Sequence, residues 1–144
     1  MMKNFIYANP TKILFGKGMI ANIAAEIPIT SKILILYGGG SIKANGVYDQ
    51  VISALQNHKV LEFSGIEPNP HYETCLKAVE MIKKNDIDFL LAVGGGSVLD
   101  ATKFIAAAAQ FVGQNPWDIL LKHGNNIETA LPFGAVITLP ATGS

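Results

Sequence analysis

The sequence holds a single cysteine, Cys75, which excludes an intramolecular disulfide, a CxxC redox pair and a cysteine zinc cage. It has no excess of either charge: eleven Lys plus Arg balance eleven Asp plus Glu, with no basic run. That leaves no electrostatic footprint for nucleic acid or for an acidic lipid surface. No apolar run reaches the length needed to cross a bilayer. The first ten residues lack a secretory h-region, because Asn4, Tyr7 and Asn9 interrupt them after Lys3. With one thiol and no export signal, the reading is a cytoplasmic protein. Charged residues are scarce at 15% and hydrophobic ones abundant at 49%, the reverse of a disordered composition. At 144 residues the chain is expected to form one domain with a real core.

What is present alternates in type. Lys32 to Tyr37, Val60 to Phe63, Phe89 to Val93 and Ala135 to Leu139 read as strands. Phe89-Leu90-Leu91-Ala92-Val93 is continuously apolar rather than alternating, as expected of a strand covered on both faces. Between the strands, Tyr72, Cys75, Leu76, Val79 and Ile82 recur at helical spacing, as do Val47, Val51, Ile52 and Leu55. Gly18 to Ile27 reads as a shorter helix, and Val98 to Phe111, with four consecutive alanines, as a closely packed inner one. Thr11 to Phe15 is expected to be an edge strand. This order predicts an α/β fold, a parallel sheet flanked by helices and joined by right-handed crossovers. Ligands of such sheets bind beyond the carboxyl ends of the strands.

Two glycine clusters follow strands. Gly94-Gly95-Gly96-Ser97 lies between a buried strand and a helix, where the backbone turns tightly and the helix offers free N–H groups to a pyrophosphate. Ser97 is a candidate N-cap, and a purely structural turn is the plain alternative. The pattern is not the standard dinucleotide fingerprint, since Leu99 stands where its third glycine or alanine belongs, and no Gly-Lys-Ser/Thr P-loop occurs. The second cluster, Gly38-Gly39-Gly40-Ser41-Ile42-Lys43, has no acidic residue to accept from an adenosine ribose. Glycines leave room there, and Ser41 with Lys43 suits a 2′-phosphate, favouring NADP(H) over NAD(H). A loop with an exposed lysine is the equally good alternative from composition alone.

Gly94-Gly95-Gly96-Ser97-x-x-Asp100-x-x-Lys103, Pro68-Asn69-Pro70 and Thr138-x-x-x-Thr142-Gly143-Ser144 together resemble the iron-containing (group III) alcohol dehydrogenases. Lys12-Ile13-Leu14-Phe15-Gly16 and Phe63-Ser64-Gly65-Ile66-Glu67-Pro68-Asn69-Pro70 look like the NADPH-dependent butanol dehydrogenase and aldehyde reductase branch. The resemblance runs the whole length and implies the Rossmann-like N-terminal domain of a dehydroquinate synthase-like fold over residues 1–144. It implies that Gly94, Gly95, Gly96 and Ser97 hold the cofactor pyrophosphate. Asp100 would then face the nicotinamide end, Thr138, Leu139 and Thr142 the adenine and diphosphate side, and Asn69 the adenosine. Gly39, Gly40 and Ser41 would occupy the place where NAD-preferring relatives commonly carry an aspartate, with Gly38 also cofactor-binding and Lys43 added on the 2′-phosphate argument.

The same resemblance implies an NADP(H)-dependent oxidoreductase acting on a small primary alcohol or aldehyde such as butanol or butanal. It also implies a divalent metal, iron or zinc, bound by one aspartate and three histidines of a helical second domain outside these residues. The chain alone is therefore expected to be inactive and to contribute no metal ligand. His58, His71 and His123 fall on separate loops or helix ends without metal-binding spacing, and a solvated surface is their expected setting. Relatives in the family pair through the N-terminal edge strand, which makes a homodimer the expectation for Thr11 to Phe15. Asp100 and Lys103 have a plainer reading as an i,i+3 helix pair. Trp117 reads as a packing anchor and Cys75 as core. A polyol-oxidising or dehydroquinate synthase relative, and a non-catalytic nucleotide-binding module, are the alternatives in function.

Overall fold

The strands assemble into one four-stranded parallel sheet in the order β2-β1-β3-β4, with β1 at Lys32–Leu36, β2 at Lys59–Phe63, β3 at Phe89–Gly95 and β4 at Phe133–Leu139. The computed structural model describes residues 6–141 and 143–144. The central strands β1 and β3 carry no polar side chain from Ile33 to Leu36 and from Phe89 to Gly95, because both of their faces are covered. Leu34, Leu36, Leu90 and Ala92 point to one side, into a core built with α3 (Tyr72–Asn85) and α4 (Gly96–Ala109). Ile33, Ile35, Leu91 and Val93 point to the other, against α2 (Val47–Ala54) and a 3-10 helix at Met19–Glu26. The period-two alternation of a strand thus divides one apolar run between two cores.

This layering locates the ligand edge. From β1 the chain moves outward to β2, then crosses back over β1 to β3 and on to β4. The direction of winding reverses between β1 and β3, and a crevice opens at their carboxyl ends. Both glycine clusters lie there.

The helices end for local reasons. α3 stops at Asp86, which adopts a left-handed conformation (φ 53°) and donates its N–H to Ile82 O. Asp88 then accepts the Lys32 N–H at 2.9 Å, pinning the start of β1. On α4, Ala106, Ala107 and Ala108 are buried, small enough to let the helix lie close to the sheet. Thr102, fully buried, donates its hydroxyl to Val98 O at 2.8 Å, so no polar atom is left bare.

Several expectations need correction. Thr11 to Phe15 joins no sheet; the segment is exposed apart from a half-buried Leu14, and with no strand beside it among the described residues its apolar residues stay outside the sheet. The helix expected over Gly18 to Ile27 is a 3-10 helix at Met19–Glu26. The alanine-rich helix begins at Gly96 rather than Val98, which places Ser97 inside its first turn. Gly95 is the N-cap residue, without a side-chain capping bond, so Ser97 is not the cap. Two single-turn helices, α1 (Ser41–Ala44) and α5 (Asp118–Leu121), are too short to show a period in sequence. No helix among the described residues is long and apolar enough to cross a membrane.

Cys75 lies in the core on α3, as its place on the apolar stripe indicates. Burial, reinforced by the Glu67 charge, pushes its thiol up from 9.0 to about 11. The folded chain is expected to resist a thiol-specific disulfide reagent at pH 8 and to react at once in denaturant. Between pH 9 and about 11 the native state keeps a proton that the unfolded chain releases, so this group lowers stability as pH rises through that window. Urea midpoints of wild type and Cys75→Ala across those pH values measure it.

Candidate cofactor-binding site

The site grows from the ends of β1 and β3, which pair directly through Ile33↔Phe89 to Leu36↔Ala92. Beyond Leu36 the backbone runs through Tyr37 into Gly38, Gly39 and Gly40 and then into α1. Beyond Val93 it runs through Gly94 and Gly95 into α4. Gly94 has φ 153°, and a Cβ there would stand 2.9 Å from Val98 Cγ2. Only glycine fits that close packing of turn against helix. At Gly95, Gly39 and Gly40, by contrast, a Cβ would meet nothing within 4 Å. Open space above a helix of fourteen residues, whose first N–H groups have no intrahelical partner, suits an anionic group.

The flanks are fixed by backbone bonds. Ile66 N–H donates to Tyr37 O at 3.2 Å and Gly65 N–H to Gly38 O at 2.9 Å, tying the segment after β2 to the first glycine turn. A Cβ on Gly38 would lie 3.0 Å from Ile66 O, which accounts for the first glycine of that cluster. This tie carries Pro68-Asn69-Pro70 along the carboxyl edge, with Asn69 exposed in a left-handed conformation (φ 57°). On the other flank, Gly94 pairs with Ile137 and Gly95 with Leu139 across a register irregularity. Thr138 and Leu139 therefore border the Gly94–Gly96 turn, both exposed. Thr142 lies outside the described residues.

Asp100, one turn into α4, is exposed and accepts the Ser144 hydroxyl at 3.2 Å. It makes no ion pair with Lys103, so the simple helix-pair reading does not hold. With Tyr72, Phe104, Trp117 and Leu120 it lines a groove of about 650 Å³. Trp117 meets the Tyr72 ring edge to face at 5.0 Å, and Tyr72 meets Phe104 at 5.8 Å, so Trp117 does anchor packing.

Beside the first glycine turn lies a cluster that sequence reading passed over. Tyr37 donates to Glu62 Oε2 at 2.8 Å and Tyr48 to Glu62 Oε1 at 2.5 Å. Lys43, on α1, holds its Nζ 4.6 Å from the Tyr48 ring centroid and 5.4 Å from that of Tyr37. The one available signal was Glu62, a charge between the apolar Leu61 and Phe63 near the end of its strand.

With this geometry in place, known proteins supply the context. Residues 10–144 match the family model of iron-containing alcohol dehydrogenase. The chain belongs to that family. It is 57% identical over 144 residues to the NADPH-dependent aldehyde reductase YqhD of Escherichia coli, covering 99% of this chain and 37% of that protein. A crystal structure of YqhD superposes with a TM-score of 0.94 over 97% of this chain and 36% of that one. The chain is also 51% identical over 146 residues to the probable NADH-dependent butanol dehydrogenase 1 of Bacillus subtilis, covering 99% and 37%. The crystal structure of NADH-dependent butanol dehydrogenase A from Thermotoga maritima, 47% identical, gives a TM-score of 0.91 over 99% of this chain and 36% of that one. The chain thus spans little more than a third of the relatives it matches. The four-stranded parallel sheet is the N-terminal part of their fold.

The family name implies a metal, and the residues here do not form its donor set. Among the described residues no three His, Cys, Asp or Glu side chains gather to hold an ion. His71 and His123 are exposed, whereas His58 departs from the surface setting expected of it, half-buried with Nε2 3.2 Å from Ile27 O.

Proposed function

We propose that this chain is the nucleotide-binding portion of an oxidoreductase that interconverts a small primary alcohol and its aldehyde with NADP(H). The observation that carries the reading is the switch-point crevice, where two glycine turns on adjacent strands leave open space above the start of α4. In it, the N–H groups of Gly95, Gly96 and Ser97 receive the pyrophosphate, aided by the positive end of the helix. Gly39, Gly40, Ser41 and Lys43 receive the ribose and its 2′-phosphate, Asn69 and Thr138 flank the adenosine side with Leu139, and Asp100 stands toward the nicotinamide. The nicotinamide, once bound, supplies the hydride chemistry, and this chain's part is to orient it.

Relatives named for NADPH and for NADH both resemble this chain at half or more of its positions. The preference for NADPH rests on this chain's own turn after β1, which offers a lysine and a serine and no carboxylate of its own. Calorimetric titration with each cofactor tests it. NADPH is expected to bind at least about tenfold more tightly, the worth of one charge-assisted contact to the added phosphate. Equal or reversed affinities would overturn the 2′-phosphate assignment. Binding of neither would overturn the pyrophosphate assignment.

A further inference from the structure

Glu62 sits half-buried near the carboxyl end of β2, where an unbonded charge is costly. Both of its oxygens are satisfied by phenol hydroxyls from two other places in the fold, Tyr37 just after β1 and Tyr48 in the first turn of α2. The two rings meet edge to face, 6.2 Å between centroids at 63°. One carboxylate thus fixes the orientation of two aromatic rings, and hydrogen bonding to an anion makes each ring richer in electrons. The bond to Glu62 is also the main reason that the Tyr48 hydroxyl is pushed up from 10.0 to about 12, so the donor stays protonated across the physiological range.

Above these rings lies the Lys43 ammonium, within cation–π distance of both. Lys43 is exposed and belongs to a helix of one turn, so its own element gives the side chain little support. A lysine on such a helix carries large rotamer freedom, which a ligand must otherwise remove on binding. Here the two rings restrict it beforehand, beside Ser41 and the open space at Gly39 and Gly40.

We propose that Tyr37, Tyr48 and Glu62 are positioning residues that preorganise Lys43 for the cofactor 2′-phosphate and thereby set the preference for NADPH over NADH. The proposal rests on the NADP(H) reading of Gly39 to Lys43 given above. Its test is the affinity of the chain for NADPH and NADH in the wild type and in Lys43→Met, Tyr48→Leu and Tyr48→Phe. Lys43→Met and Tyr48→Leu are each expected to weaken NADPH binding about tenfold while NADH affinity, the internal control for folding, is retained. Tyr48→Phe keeps the ring face but loses its bond to Glu62, and is expected to weaken NADPH binding less than Tyr48→Leu does; a Tyr48→Phe chain that binds like wild type overturns the part given to Glu62.

The outcomes separate the two claims. A wild type that prefers NADPH through Lys43, with Tyr48→Leu behaving as wild type, overturns the positioning role and leaves the cofactor reading standing. So does a Tyr48→Leu chain that loses both cofactors equally, since that is what general damage to the fold produces. A wild type without NADPH preference overturns the cofactor reading and the proposal with it, whereas a Lys43→Met chain that keeps the full preference overturns the proposal alone.

Discussion

Replacing Gly95 with alanine is expected to leave the fold intact and to weaken NADPH binding roughly 5- to 150-fold. Gly95 has φ −87° and ψ −169°, a conformation open to any residue, and its added methyl would meet no protein atom within 4 Å. The methyl would instead occupy the space assigned to the pyrophosphate. Crowding of this kind costs about 1–3 kcal/mol in a packed core, which is the basis of the range. The neighbouring Gly94→Ala should behave in the opposite way. At φ 153°, and with its Cβ 2.9 Å from a methyl of the buried Val98, the strain falls on the fold itself, about 1–3 kcal/mol of stability. Thermal unfolding and calorimetric titration of both variants separate the two effects. A Gly95→Ala chain that binds NADPH like wild type would remove the pyrophosphate from this turn.

Truncating Leu90 to alanine is expected to destabilise the fold by about 2–5 kcal/mol. Leu90 is fully buried on β3, paired with Leu34 on one side and Phe133 on the other, and faces the core shared with α3 and α4. Against a total of about 5–15 kcal/mol for a domain, that loss leaves a marginal protein. Leu139→Ala, at a site 66% exposed on the edge strand β4, should cost no more than about 0.5 kcal/mol. Because β3 ends in the glycine turn, NADPH at a hundred times its Kd should return about 2.7 kcal/mol to Leu90→Ala. Urea midpoints with and without cofactor measure both numbers.

The central strands were legible in the sequence because Ile33 to Leu36 and Phe89 to Val93 have no polar interruption, the pattern of a doubly covered strand. The glycine turn was legible because it stands between such a strand and a helical period. Other features depend on partners distant in sequence. Nothing local in Thr11 to Phe15 states that no strand lies beside it, so its apolar residues read as an edge strand. Ser97 has the composition of a cap, but the chain turns into the helix a residue earlier, at Gly96. The cluster around Glu62 joins residues 25 and 14 positions away, brought together by the pairing of β1 with β2. Periodicity cannot report a contact between a strand end, a helix start and a neighbouring strand.

The most direct test of the placement of the nucleotide is a titration of the isotope-labelled chain with NADPH, followed through its backbone amide resonances. The amides of Gly95, Gly96 and Ser97 are expected to shift most, with a second set at Gly39, Gly40 and Ser41. Shifts confined to other parts of the molecule, or none at saturating cofactor, would contradict a site at the switch between β1 and β3.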